Sequence, residues 1–191
     1  MAKISTLHPA TLLQLRIELK FIEPKIWREV VVPDTITLAR LHDVIQIAMG
    51  WTDSHLHEFE INGRRYGVPD PDWDFDEAVI SEKRVKLLKA LAGRKTFTYL
   101  YDFGDGWEHK ITVKKTLLND GPKRFAVCLG GANACPPEDV GGPYGYVEYV
   151  KAITNENHPE HEDMLEWGYE NFDPTKFDAE QTNDILKTIK T

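Results

Sequence analysis

A chain of 191 residues carrying a formal charge of −8 is long enough to build a core without disulfide or metal staples. Its acidic balance argues against sequence-independent DNA binding, which rests on Lys and Arg neutralising phosphates. Two cysteines, Cys128 and Cys135, are too few for a secreted disulfide framework. No apolar run is long enough to span a bilayer and residues 1–13 carry no basic-then-apolar leader, so the chain reads as soluble and cytoplasmic.

The charge is uneven: residues 1–80 hold 8 Lys+Arg and 13 Asp+Glu, residues 81–124 hold 11 and 5, and residues 125–191 hold 4 and 13. The basic middle, with Lys83, Arg84, Lys86, Lys89, Lys110, Lys114 and Lys115, reads as ordinary solvated faces rather than an anion site.

In chain order, Leu13, Leu15, Ile17, Leu19 and Phe21 alternate with polar residues, the pattern of a half-buried strand. Glu23-Pro24 breaks it, and residues 26–32 read as a second strand, paired antiparallel to the first. Thr37 is placed to cap a helix whose stripe is Leu38, Leu41, Ile45 and Ala48, with Gly50 ending it; His42 beside that stripe reads as a helix-surface or core-edge residue. Residues 55–61 and 64–68 flank Asn62-Gly63, a strong hairpin signal. On the first of these strands His55, His57, Phe59 and Ile61 share a face, so the two histidines point the same way. Residues 69–77 form an acidic loop that fails as an EF-hand, because Phe75 and Ser81 stand where Gly and Glu are needed; it reads as a solvated loop anchored by Trp73 and Phe75.

Residues 81–91 end in a short helix before Gly93, and residues 95–116 form the best-patterned hairpin of the chain. Phe97, Tyr99, Tyr101 and Phe103 alternate on one strand and Trp107, His109, Ile111 and Val113 on the other, around Gly104-Asp105-Gly106. A turn is expected at residues 119–122 and a strand at 125–129. Residues 130–145 are rich in Gly and Pro and show no regular element, the kind of long loop that carries function. Helices are expected over residues 146–154 and 159–167. A last helix is capped by Asp178, with Gln181 three residues on, and faces the core through Ile185, Leu186 and Ile189.

Four motifs stand out in this order. They are Trp51 with the run His55-Leu56-His57-Glu58-Phe59; the run from Tyr101 through Asp102, Gly104-Asp105-Gly106 and Trp107 to His109; Cys135-Pro136-Pro137-Glu138-Asp139 with Gly141-Gly142 and Gly145-Tyr146; and Phe172-Asp173-Pro174 with Phe177-Asp178 and Asn183. On these motifs nearly the whole chain resembles the plasmid pRi ORF-three-like family. The resemblance implies a single α+β domain and no established activity. Some similar proteins carry resolvase-like labels or appended DNA-binding segments, and the family's plasmid setting implies, as a weaker alternative, a nucleic-acid accessory role in mobile elements. The nucleophilic Ser among arginines that a serine recombinase needs is not found around Ser5, Ser54 or Ser81.

Read from the residues alone, the candidate ligand surface is Asp102, Asp105, Trp107, His109, Glu138, Asp139 and Tyr146, where the turn at 102–109 would meet the loop at 135–146. Carboxylates with an imidazole can hold a metal or serve as base and orienter, but Asp and Gly are also the ordinary residues of tight turns. The candidate metal ligands are His55, His57, His109, Cys128 and Cys135; the Cys spacing fits no zinc knuckle, and both thiols read more simply as small core residues. The aromatic row has the look of a base-stacking platform, yet such residues more often pack a core. His158 and His161 read as solvated.

The expectation is therefore one α+β domain over residues 1–191, an antiparallel or mixed sheet of hairpins packed by several helices. Its function is read as non-enzymatic binding of a protein or small ligand, with a metal ion as the conceivable cofactor and no membrane partner. The alternatives are a metal-dependent hydrolase or nuclease using Asp102, Asp105, His109 and Glu138, and the nucleic-acid accessory role.

Overall fold

The alternation of the first strand dictates a sheet with one buried face, and the computed structural model, which describes residues 11–69, 79–118, 126–168 and 171–189, shows it. Strand β1 (Thr11–Leu19) buries Leu13, Leu15, Ile17 and Leu19 and leaves Gln14, Arg16 and Glu18 half exposed. It lies between β2 (Trp27–Pro33) and β7 (Trp107–Leu118), antiparallel to both. With β3 (His57–Ile61), β4 (Arg64–Gly67), β5 (Ile80–Ser81), β6 (Thr96–Tyr101) and β8 (Val127–Ala132), the sheet runs in the order β5-β4-β3-β6-β7-β1-β2-β8. Every neighbouring pair is antiparallel except β4 and β5, so the sheet is mixed and the protein is α+β.

Helix α1 (Leu38–Met49) covers the buried face with Leu38, Leu41, Val44, Ile45 and Ala48. Thr37 caps it by accepting from the amide of Arg40, and Gly50 closes it at φ 110, a left-handed conformation that glycine adopts without strain. A short 3-10 turn (Glu82–Arg84) leads into α2 (Leu87–Leu91), which adds Leu87 and Leu91 to the core. Helices α3 (Gly142–Thr154), α4 (His161–Trp167) and α5 (Ala179–Leu186) follow, and Tyr146, Tyr149 and Leu186 join the same apolar cluster.

The C-terminal motif fastens the sheet edge. The Asn183 side-chain amide accepts from the Cys128 amide and donates to the Cys128 carbonyl, both at 2.8 Å, so it pairs with β8 as another strand would. Asp178 caps α5 through the amides of Glu180 and Gln181. Arg28, buried on β2, stacks 3.8 Å over Phe177 and donates to the carbonyls of Ala48, Trp27 and Ala132. A buried guanidinium is costly unless its donors are satisfied, and here backbone carbonyls and an aromatic face satisfy it.

Expectations at four places are corrected. Phe21 lies exposed beyond the end of β1, and Ile185 is exposed on α5 while Leu186 is buried. The stretch 130–145 is not wholly irregular: β8 runs through Gly130 and Gly131 to Ala132, and α3 starts at Gly142, four residues ahead of Tyr146. Phe103 leaves the strand alternation and lies exposed in the β6–β7 turn. The acidic loop around Asp70–Glu77, the turn at 119–122 and Phe125 fall outside the described residues.

Candidate functional site

The long β6–β7 hairpin ends in a turn that Asp102 builds. Its backbone takes φ 55, and its Oδ1 accepts from the amides of Gly104 (2.9 Å) and Asp105 (3.3 Å), while its carbonyl accepts from Gly106 at 2.7 Å. Short polar side chains favour such turns because they bond nearby backbone. One carboxylate oxygen is thus committed to the turn, and Oδ2 remains free.

The segment preceding α3 is fastened onto this turn. Asp105 Oδ2 accepts from the Gly141 amide at 3.1 Å. Gly142, at φ 69, lies so close that a Cβ built there would meet the Asp105 carbonyl oxygen at 2.3 Å. Gly142 is there because no side chain fits between the backbones, and Gly141 because its backbone stands at φ 89.

Glu138 ties the same segment to the connector after α1. Its Oε1 accepts from the Thr52 amide (2.9 Å), the Thr52 hydroxyl (3.1 Å) and the Tyr101 hydroxyl (3.0 Å). The Tyr101 hydroxyl in turn accepts from the Ser54 amide at 3.0 Å, and Trp51 Nε1 donates to the Pro136 carbonyl at 3.1 Å. Burial first, and the neighbouring Glu138 charge with it, push the Tyr101 phenol well above its ordinary value, so it stays a protonated donor.

Into this corner points His55. Its Nε2 lies 3.2 Å from Asp139 Oδ1, 3.7 Å from Asp102 Oδ2 and 4.0 Å from Glu138 Oε2. Asp102 and Glu138 have side chains only 10% and 13% exposed, whereas Asp139 is 72% exposed at the rim. The result is a cup: a floor of buried carboxylates, an imidazole wall and an open carboxylate edge. Among the described residues no Lys or Arg forms an ion pair with any of the three acids. His55 Nε2 is itself buried and has no hydrogen-bond partner of acceptable geometry.

A second polar group lies deeper, under α1. The rings of His42 and His57 stack at 3.5 Å with planes 9° apart. His42 bonds Tyr99 and Asp53, each at 2.8 Å, and His57 bonds Glu82 at 3.0 Å. Gln46 completes it, donating to the Tyr99 hydroxyl and accepting from the Asp53 amide. Burial, then the adjacent His57, hold His42 below the ordinary imidazole value.

Of the residues singled out from sequence, Asp102, Asp105, Glu138 and Asp139 come together. Trp107, His109 and Tyr146 do not join them; they are core residues, with Trp107 and His109 fully buried. His109 Nδ1 lies 3.2 Å from the Tyr99 carbonyl, its ring meets Trp51 edge-on, and burial lowers its pKa to about 4. His55 and His57 do not converge on one ion, because β3 begins only at His57 and the chain before it turns His55 toward Asp102. Cys128 and Cys135 fall into no metal-competent group with a histidine among the described residues, and burial raises both thiols. Sequence reasoning missed Thr52, Ser54 and Tyr101, the first two because they sit in a connector and the third because it alternates with core aromatics. The pairing of His42 with His57 had no signal at all, since a helix and a distant strand supply the two rings.

The fold and site define an α+β protein whose mixed eight-stranded sheet carries an imidazole–carboxylate cup at the end of its β6–β7 hairpin. The chain belongs to the plasmid pRiA4b ORF-3-like protein family, whose profile matches residues 11–181. It is 44% identical over 186 residues to the uncharacterized protein y4hQ of Sinorhizobium fredii, a match covering 94% of this chain and 93% of that one. The crystal structure of MM3350 from Methanosarcina mazei Go1, a protein of unknown function, superposes with a TM-score of 0.82 at 34% identity, covering 91% of this chain and 98% of that chain. No helix among the described residues is long and apolar enough to cross a membrane.

Proposed function

We propose that this protein is a binding module whose ligand is a cation, held where the turn at 102–106 meets the segment at 135–142. One observation carries the reading: three carboxylates, two of them largely buried, converge on His55 Nε2 with no cationic side chain opposing them among the described residues. Buried carboxylates are ordinarily paired with a cation or a metal, and an uncompensated set favours any positive ligand that reaches it. The ties from Thr52, Tyr101, Gly104 and Gly141 hold these acids in place before the ligand arrives, so little ordering cost accompanies binding.

The hydrolase alternative loses support on one point. It assigned His109 as base or ligand, and that ring is sealed in the core beneath Trp51.

The test is thermal melting of the purified protein with divalent metal chlorides, L-arginine amide and Lys-rich peptides, each compared in wild type and in Asp102→Asn and Glu138→Gln. Stabilisation by at least one cation that both variants lose supports the reading. Melting that no cation raises, or that the variants share with wild type, refutes it.

A further inference from the structure

We propose that the ligand of the cup is a divalent transition-metal ion, bound by His55 Nε2, Asp102 Oδ2 and Asp139 Oδ1, with Glu138 beside them; the inference rests on the cation-binding reading above. These three donor residues stand close enough together to share one ion. For a tetrahedral ion with donors at about 2.0–2.2 Å, neighbouring donors lie about 3.3–3.6 Å apart. Nε2 is 3.7 Å from Asp102 Oδ2 and 3.2 Å from Asp139 Oδ1, and ligand atoms of these three residues all lie within 4.8 Å of one another; Glu138 Oε2 stands 4.0 Å from Nε2, outside that group.

The division of labour within Asp102 points the same way. Asp102 spends Oδ1 on the amides of Gly104 and Asp105 and leaves Oδ2 toward His55. Glu138 spends Oε1 on Thr52, has the Tyr101 hydroxyl 3.0 Å from Oε1 and 3.3 Å from Oε2, and turns Oε2 toward His55. Metal-ligating carboxylates are oriented by hydrogen bonds of this kind on their other oxygen. Independently of the acids, a buried ring nitrogen without a hydrogen-bond partner is an unmet requirement, and a metal ion meets it.

The second group of potential ligands, His42, Asp53 and His57, lacks this geometry. An imidazole nitrogen binds a metal in its ring plane at about 2.0–2.1 Å. Two nearly parallel rings 3.5 Å apart cannot both present in-plane lone pairs to one ion. Three of their four nitrogens are also already taken up by Asp53, Tyr99 and Glu82. One imidazole with carboxylates suits Zn²⁺, Mn²⁺ or Fe²⁺; Ca²⁺ prefers six to eight oxygens, and Cu⁺ prefers sulfur.

The experiment is calorimetric titration of ZnCl₂ and MnCl₂ into untagged, chelator-treated full-length protein near neutral pH. Wild type is expected to bind about one equivalent of at least one of these ions. His55→Gln and Asp139→Asn are expected to weaken binding about a hundredfold or more, and Tyr101→Phe about tenfold, as loss of a supporting hydrogen bond does. Asp139 lies at the rim, so its variant tests the ligand set without disturbing the core. His57→Gln is expected to bind as wild type does. Binding abolished by His57→Gln and kept by His55→Gln and Asp139→Asn would overturn the assignment. So would the absence of binding by either ion. In that case a melting shift with L-arginine amide that Asp102→Asn removes would leave the cation-binding reading standing, and no shift would end both.

Discussion

Placing a methyl group at Gly142 asks whether the start of α3 truly rests on the β6–β7 turn. Two costs are expected. The residue sits at φ 69, where an L side chain pays about 1–2 kcal/mol. Its Cβ would also fall 2.3 Å from the Asp105 carbonyl oxygen, so the two backbones must part by about 1 Å to reach ordinary contact, an overpacking that costs a further ~1–3 kcal/mol. Gly63, at φ 71 in the β3–β4 turn with nothing within 4 Å, supplies the control that pays the first cost alone. Gly142→Ala is therefore expected to destabilise by about 2–5 kcal/mol and Gly63→Ala by about 1–2. For a chain of this length each kcal/mol lowers the melting temperature by about 2–4 °C, so the first variant melts about 10 °C below wild type and the second about 4 °C. The assay is urea denaturation at neutral pH, supported by melting curves. Equal losses in the two variants would show that α3 does not touch the turn, and the cup built from both would fall with that contact.

Three further outcomes are expected. His109 has its pKa lowered to about 4 by burial, below the ordinary value of about 6.5, so stability is full above about pH 6.5 and is lost as pH falls toward 4. Near pH 5 the loss is about 2 kcal/mol, and His42, shifted in the same direction, adds to it. Denaturation midpoints unchanged between neutral pH and pH 5 would contradict the burial of these rings. Asn183→Ala removes both bonds to Cys128 and is expected to cost about 2 kcal/mol, speeding hydrogen exchange of the Cys128 amide about thirtyfold. Asn183→Asp is expected to cost more, because it sets a carboxylate oxygen against the Cys128 carbonyl; exchange as slow as in wild type would refute the edge pairing.

Local periodicity made much of this fold legible. The alternation of Leu13, Leu15, Ile17 and Leu19 announced β1, Thr37 and Gly50 bracketed α1, and Asn62-Gly63 marked its hairpin. The first turn of α3 was hidden because Gly142, Pro143 and Gly145 have poor helix propensity. The two glycines are there for space: a Cβ on Gly145 would stand 2.0 Å from the Val140 carbonyl oxygen. The burial of His109 was readable in principle, since it lies directly opposite Tyr99 in the hairpin register and shares its inward face. Asp102, Glu138 and Asp139 could be named from their motifs. Their assembly around His55 depends on where β3 begins and on long-range bonds from Thr52 and Tyr101, which no local pattern encodes.

The central claim is that this cup binds a metal ion, and anomalous diffraction from crystals grown with MnCl₂ or ZnCl₂ tests it most directly. The account predicts one strong anomalous peak about 2.0–2.3 Å from His55 Nε2 and the free oxygens of Asp102 and Asp139. A strong peak elsewhere, or none at this cup in crystals soaked to saturation, would contradict it.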